Sequence, residues 1–179
     1  MRVWISLFII FLFSSCISDI DFDQLDEVVI TPAVDIDLVY FTVSEDTFSD
    51  VNAGDPSFTL SETTRLEFLN DDVVRENLKE IEIQYRVANS YRQSVIATSI
   101  FKNLQGDVMY EIQFPVDASV DGSEVVTQFT AVIPEEDIIA ISNSIDLETV
   151  LEFTLDGQEI VGFLDFRSKA IYALEFSDL

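Results

Sequence analysis

Apolar and polar residues alternate with a period of two through most of this chain. Residues 79–88 carry the cleanest pattern. Ile81, Ile83, Tyr85 and Val87 share one phase, and Glu80, Glu82, Gln84 and Arg86 share the other. Such alternation predicts a strand buried on one face and wet on the other, as in antiparallel sheets. Val34, Ile36, Leu38 and Tyr40 alternate with Asp35, Asp37 and Val39, predicting a half-buried strand with Tyr40 on the inward phase. Residues 94–102 read as a strand apolar on both sides, and Val108, Tyr110, Ile112 and Phe114 predict a further inward face. Segments 65–69, 124–133, 149–155, 159–166 and 170–176 bring the expectation to about eight or nine strands.

The punctuation between these segments fits that reading. Residues 44–57 hold Ser, Asp, Asn, Gly and Pro and read as a loop. Residues 103–107 read as a turn, and Asp121-Gly122 suits a positive φ in the loop 116–123. Asp156-Gly157 between two strand-like runs predicts a hairpin. Asn70-Asp71-Asp72 offers a cap and early acidic charge for a helical turn reaching about Leu78. Pro134 followed by Glu135, Glu136 and Asp137 predicts a short helix through Ser142. The expected fold is all-β: an antiparallel β-sandwich with one or two short helices, occupying residues 34–179.

The N-terminus follows another rule. Arg2 precedes a run, residues 3–13, that is apolar but for Ser6, and Ser14 and Ser15 stand before Cys16. This is the layout of a secretory signal over residues 1–15. The run is shorter than the roughly 20 residues a membrane-spanning helix needs. Leu12-Phe13-Ser14-Ser15-Cys16 resembles the lipobox of bacterial lipoproteins in the loosened form of the Bacteroidetes type; Phe13 stands where Leu is usual. The resemblance implies lipidation of Cys16 after removal of the signal, so the membrane is an expected partner through that lipid. A plain secretory signal with a chance Cys is the alternative. Two or more acyl chains give stable anchoring where one is marginal.

Ser18-Asp19-Ile20-Asp21-Phe22-Asp23 follows, and resembles the acidic export signal of surface-exposed lipoproteins of that type. Ile17 after the Cys, by resemblance to other envelope lipoproteins, implies the outer membrane. Residues 16–33 are thus expected to be the lipidated Cys16 and an acidic leash. Fully extended, 17 residues reach on the order of 55 Å. Within the sandwich, Val87-Ala88-Asn89 and Gly106 resemble the Ig-like sandwich of late-embryogenesis-type domains over residues 83–110. That resemblance implies an Ig-like architecture.

Charge narrows the partners. Asp and Glu number 34 against 9 Lys and Arg, a formal net charge of -25. A surface of this sign repels phosphates, so nucleic acid is not expected as a partner. Solubility is the plain meaning of the charge; a cationic or metal-bridged partner is the sharper one.

Chemistry is narrowed further by two counts. There is no His, and Cys16 is the only Cys. Ser-His and Cys-His catalysis and His- or Cys-built zinc sites are therefore excluded, and no disulfide can form within the mature chain. Ser99-Ile100-Phe101-Lys102 matches the S-x-x-K spacing of penicillin-binding enzymes, but Ser99 falls in a strand and the companion motifs are missing. Asp19, Asp21, Asp23 and Asp26 offer oxygen ligands for Ca²⁺, yet lack the Gly of an EF-hand. Asp117 to Gly122 starts like such a loop, but its twelfth position is Gln128. A solvated leash and a turn are the preferred readings. No cofactor and no metal are expected.

For glycan recognition, the only Trp is Trp4, inside the signal, and Tyr91 in a turn is the best candidate for an exposed ring, though a turn-filling role suits it better. The expected function is that of a lipid-anchored envelope protein with a non-enzymatic interaction or structural module and an envelope protein as partner. A glycan- or ligand-binding accessory of a surface uptake system is the first alternative. A carboxylate-dependent hydrolase is the second, because paired acids are all that this chain offers for catalysis.

Overall fold

The computed structural model describes residues 29–51, 55–155, 157 and 159–176. Cys16, the expected signal and most of the expected leash lie outside these residues. Two units divide the chain. In one, Ile30 and Phe176 form an antiparallel bridge, each N–H donating to the other's carbonyl. The other, Thr31–Glu175, holds every strand and helix named below.

Eight strands follow in chain order: β1 (Ala33–Ser44), β2 (Ser57–Arg65), β3 (Leu78–Asn89), β4 (Val95–Lys102), β5 (Val108–Val116), β6 (Val125–Val132), β7 (Asp146–Thr154) and β8 (Phe163–Leu174). Helix α1 (Asp72–Asn77) precedes β3, and α2 (Glu135–Ser142) joins β6 to β7. The first sheet has the order β1-β8-β3-β6 and the second β2-β7-β4-β5, with antiparallel pairing throughout. The antiparallel β-sandwich with two short helices is therefore present. Its connectivity is a jelly roll in place of the Ig-like arrangement. Only β4 and β5 are neighbours both in sequence and in a sheet; every other connection crosses between the sheets.

The expected hairpin at Asp156-Gly157 is one casualty. β7 already has β2 on one edge and β4 on the other, so neither edge is open to β8. β8 instead fills the gap between β1 and β3 in the opposite sheet. The segments expected as separate strands, 159–166 and 170–176, resolve into the single strand β8. Gly162 makes the crossing possible. Its φ is 139°, and a Cβ there would stand 2.5 Å from Ser90 Oγ and 3.2 Å from the Ser90 carbonyl carbon. Ser90 cannot swing away, because its Oγ accepts from Phe163 N at 2.8 Å and its N–H donates to Phe163 O at 2.9 Å. Gly162→Ala is expected to cost about 1–3 kcal/mol. A thermal melt unchanged from the parent protein would refute this.

A second difference lies in the first half of the chain. The segment expected as a strand, 65–69, is a short 3-10 turn preceded by the end of β2. β2 escaped the pattern because it is an edge strand with Ser, Thr and Glu at most positions. Glu62, on the inward phase yet exposed, is a device that edge strands use against further pairing. The cap of α1 is as expected: Asp71 Oδ1 accepts from Val73 N at 2.8 Å and Val74 N at 3.3 Å.

The core lies between the sheets. Ile81, Ile83, Tyr85 and Val87 of β3, with Phe166 and Tyr172 of β8, face Ala97, Phe101, Phe114, Leu147, Leu151 and Phe153 of the second sheet; all are buried. Among the described residues, four hydroxyls are buried with them without a hydrogen-bond partner: Tyr85 with its cross-strand neighbour Ser168, and Ser99 with Thr149 opposite. Burial pushes the Tyr85 phenol well above its ordinary value. Burial alone does the same for Tyr172.

Candidate functional site

The outer face of the first sheet carries an arrangement that the strand pattern alone does not reveal. Its origin is a bulge in β1. The register passes from Asp37↔Lys169 to Val39↔Ser168, leaving Leu38 as the extra residue. Leu38 and Val39 are both buried, so the inward phase switches from even to odd positions. Tyr40, expected to face inward, is turned out and is 65% exposed. Re-aiming a side chain is a common consequence of such bulges.

Two rows of side chains cross this face. One runs Tyr40, Arg167, Arg86, Gln128 over β1, β8, β3 and β6; the next runs Asp37, Lys169, Gln84, Thr130. All but Tyr40 line a cleft of about 500 Å³ over the central strands β8 and β3, and Tyr40 lines a smaller recess beside it with Asp37, Val39, Arg167 and Ser168. Such a volume lies within the about 300–1,000 Å³ typical of small-ligand pockets. The Arg167 guanidinium lies 4.8 Å from the centre of the Tyr40 ring, within cation–π range.

Arg86 and Arg167 stand directly opposite each other on paired strands. Like charges in that relation oppose pairing. The placement is the more notable because cations are scarce: of the nine Lys and Arg residues, three gather here. Most of the others are held by acids: Arg65 by Asp146, Arg75 by Asp72, Lys79 by Glu175 and Lys102 by Glu148. Within the cleft, Lys169 Nζ pairs with Asp35 at 2.9 Å, and Arg167 is 3.9 Å from Asp165. Arg86 makes no ion pair among the described residues and is exposed. The lining holds three cations and one carboxylate, Asp37, and the acids paired with Lys169 and Arg167 balance the other two charges, so Arg86 is the cation left without an ion pair among the described residues. An anionic group entering it meets two planar guanidinium forks, suited to bidentate contact.

The residues singled out from sequence fall elsewhere. Tyr91 is buried, not exposed. Its hydroxyl donates to Val43 O at 3.1 Å and its ring packs edge-on against Phe48 and Phe153. It fills the space beneath its turn, and among the described residues Tyr40 is the exposed ring. Ser99 faces the core, while Lys102 pairs with Glu148, so the S-x-x-K residues do not form a common site. In the loop 117–124, Asp121 Oδ1 accepts from Ser123 Oγ and Ser123 N, which hold its carboxyl below the ordinary value. Among the described residues no three acidic side chains converge on a cation site. Asp19, Asp21, Asp23 and Asp26 lie outside them, as does Cys16. No helix among the described residues is long and apolar enough to cross a membrane.

No protein-family model matches the chain, and no curated protein matches its sequence. Solved structures resemble it in part. One is a Parabacteroides distasonis protein described only as secreted: 15% identity, TM-score 0.48, 65% of this chain and 38% of that one. Another is the VP2 subviral particle of infectious bursal disease virus: 11% identity, TM-score 0.46, 80% of this chain and 33% of that one. The chain thus spans little more than a third of the length of these structures. Likeness at this level says nothing of ligand or role.

Proposed function

We propose that this chain is a lipid-anchored envelope protein whose jelly roll is a non-enzymatic binding module, and that its ligand or partner docks in the Arg86–Arg167 cleft. The observation that carries the docking face is the cross-strand arginine pair. On a chain so acidic, two guanidinia set opposite each other cost sheet stability, and an incoming anion relieves that cost. The anchor rests on Cys16 and the lipobox resemblance. The non-enzymatic reading rests on the missing His and on Cys16 being the only thiol.

In-cell photo-crosslinking tests the docking face. A photoreactive residue replacing Gln128 is expected to yield an adduct that Arg86→Glu and Arg167→Glu together abolish. The same probe at Gln113, on the outer face of the second sheet, is expected to yield none. Equal adducts at both sites, or none at Gln128, overturn the assignment. Arg86→Gln is expected to leave the fold intact and to raise its stability by about 0.2–1 kcal/mol, because it removes a repulsive pair; a clear loss of stability would mean that Arg86 serves the fold. Intact mass tests the anchor, since an unmodified Cys16 or a retained signal contradicts it.

A further inference from the structure

Resting on that reading of the cleft, we propose that its occupant is a saccharide bearing a single carboxylate, such as an oligosaccharide with one uronic acid. Four features of the cleft select this chemistry.

The first is the floor. Gln84, Gln128 and Thr130 surround the arginines, and all three are neutral groups that donate and accept hydrogen bonds. Gln128 and Thr130 are exposed, and their side chains hold no hydrogen bond among the described residues, while Gln84 Nε2 donates to Glu82 Oε1 at 2.5 Å. A simple anion needs none of these groups, whereas a polyhydroxylated ligand uses them all. Asp37 at the rim adds an acceptor for a sugar hydroxyl.

The second is the wall. Tyr40, exposed in the recess that adjoins the cleft, presents an aromatic ring beside the guanidinium of Arg167, which lines both. A pyranose packs its C–H face on such a ring while its carboxylate meets the cation next to it.

The third is what the lining omits. The cleft itself contains no aliphatic side chain, and the recess under Tyr40 adds only Val39, which is buried. A lipid acyl chain finds no groove there, and a protein partner finds no apolar pocket for an anchor residue. The cleft also lies over β8 and β3, which are both paired on either side, so a peptide cannot add as an extra strand.

The fourth is the field of the rest of the molecule. A long polyanion would leave the cleft and run over a surface of strongly negative sign. A ligand with one charge places that charge between the arginines and meets the remaining surface with neutral hydroxyls. Carboxylate and sulfate share the chemistry that a guanidinium recognises, so the experiment must separate them.

Isothermal titration of the full-length protein in detergent does so with four probes: xylobiose carrying one glucuronic acid, plain xylotriose, a monosulfated trisaccharide and a hexaglutamate peptide. The uronate trisaccharide is expected to bind about tenfold or more tightly than each of the others. Arg86→Gln and Arg167→Gln are each expected to weaken it by about 10- to 100-fold. Tyr40→Ala is expected to weaken the uronate and plain trisaccharides by the same factor, because the ring reads the sugar and not its charge. Equal or tighter binding of the sulfated probe overturns the carboxylate. Binding of hexaglutamate in place of the sugars overturns the saccharide and leaves the docking face standing. Failure of all four probes while the Gln128 crosslink persists also overturns the saccharide alone. Failure of probes and crosslink together removes both readings.

Discussion

Phe153→Ala is expected to destabilise the jelly roll by about 3–5 kcal/mol, among the largest losses any single truncation in this core can cause. Phe153 is fully buried on β7. Its ring stands edge-on to Phe48 at 5.0 Å and 83°, and edge-on to Tyr91 at 5.7 Å and 87°. Phe58 of β2 lies 6.4 Å away and tilts against both Phe153 and Phe48. Four rings from separate segments thus share one end of the sandwich: the turn after β1, the edge strand β2, the loop after β3, and β7. Their edge-to-face geometry adds about 0.5–1.5 kcal/mol per pair to the burial term. β7 is a central strand flanked by β2 and β4, so the hole left by the ring cannot close by an edge strand folding in. The residual cavity therefore adds to the cost. Urea unfolding should show a lower midpoint with an unchanged slope. A loss below about 1 kcal/mol would mean that the cluster is loosely packed, contrary to the distances above.

That cluster also marks the boundary of what the sequence makes legible. Alternation along residues 79–88 placed Ile81, Ile83, Tyr85 and Val87 on the buried phase, and they are buried, because a central strand has no freedom to slip its faces. Sandwich architecture follows from many such segments. Connectivity does not: the period of a strand says which side is apolar and nothing about which sheet holds it. The Asp156-Gly157 signal describes a chain that can turn, and whether it turns into a hairpin depends on whether β7 has an open edge. Tyr40 was misplaced for a related reason. One extra residue, Leu38, reverses every later side chain in β1, and no local feature announces the bulge. The candidate cleft was half visible. Arg167 and Lys169, two residues apart in a strand, must share a face, and Arg86 belongs to a wet phase. Their convergence needs the pairing Arg86↔Arg167, a contact across 81 positions of chain that only the folded register supplies.

Asn89 is where the fold depends on a polar side chain, and Asn89→Ala is expected to cost about 2–5 kcal/mol. The residue ends β3 and is fully buried. Its Nδ2 donates to Asp117 O at 2.9 Å and to Tyr91 O at 3.3 Å, and its Oδ1 accepts from Tyr91 N at 2.9 Å. One amide thereby ties the end of β3 to the loop after β5 and holds the turn that delivers the Tyr91 ring to the aromatic cluster. Removing it leaves Tyr91 N without its partner in a buried turn, while Tyr91 O keeps only its bond from Ser119 N at 2.8 Å. Loss of volume and loss of hydrogen bonding can be separated with Asn89→Asp, which keeps the shape. The carboxylate still accepts from Tyr91 N but has nothing to donate, and it faces the carbonyls of Asp117 and Tyr91 with a buried charge. At neutral pH this variant is expected to be at least as damaged as Asn89→Ala. Its native-state pKa is then raised above the unfolded value near 3.9. The folded form binds the proton more tightly, so stability should recover as pH falls through the raised pKa toward that value. A variant with near-parent stability at pH 7 would show that shape alone is what the site requires, and one that weakens further on mild acidification relative to the parent would show that the site favours the charged carboxylate, contrary to the donor role assigned to Nδ2.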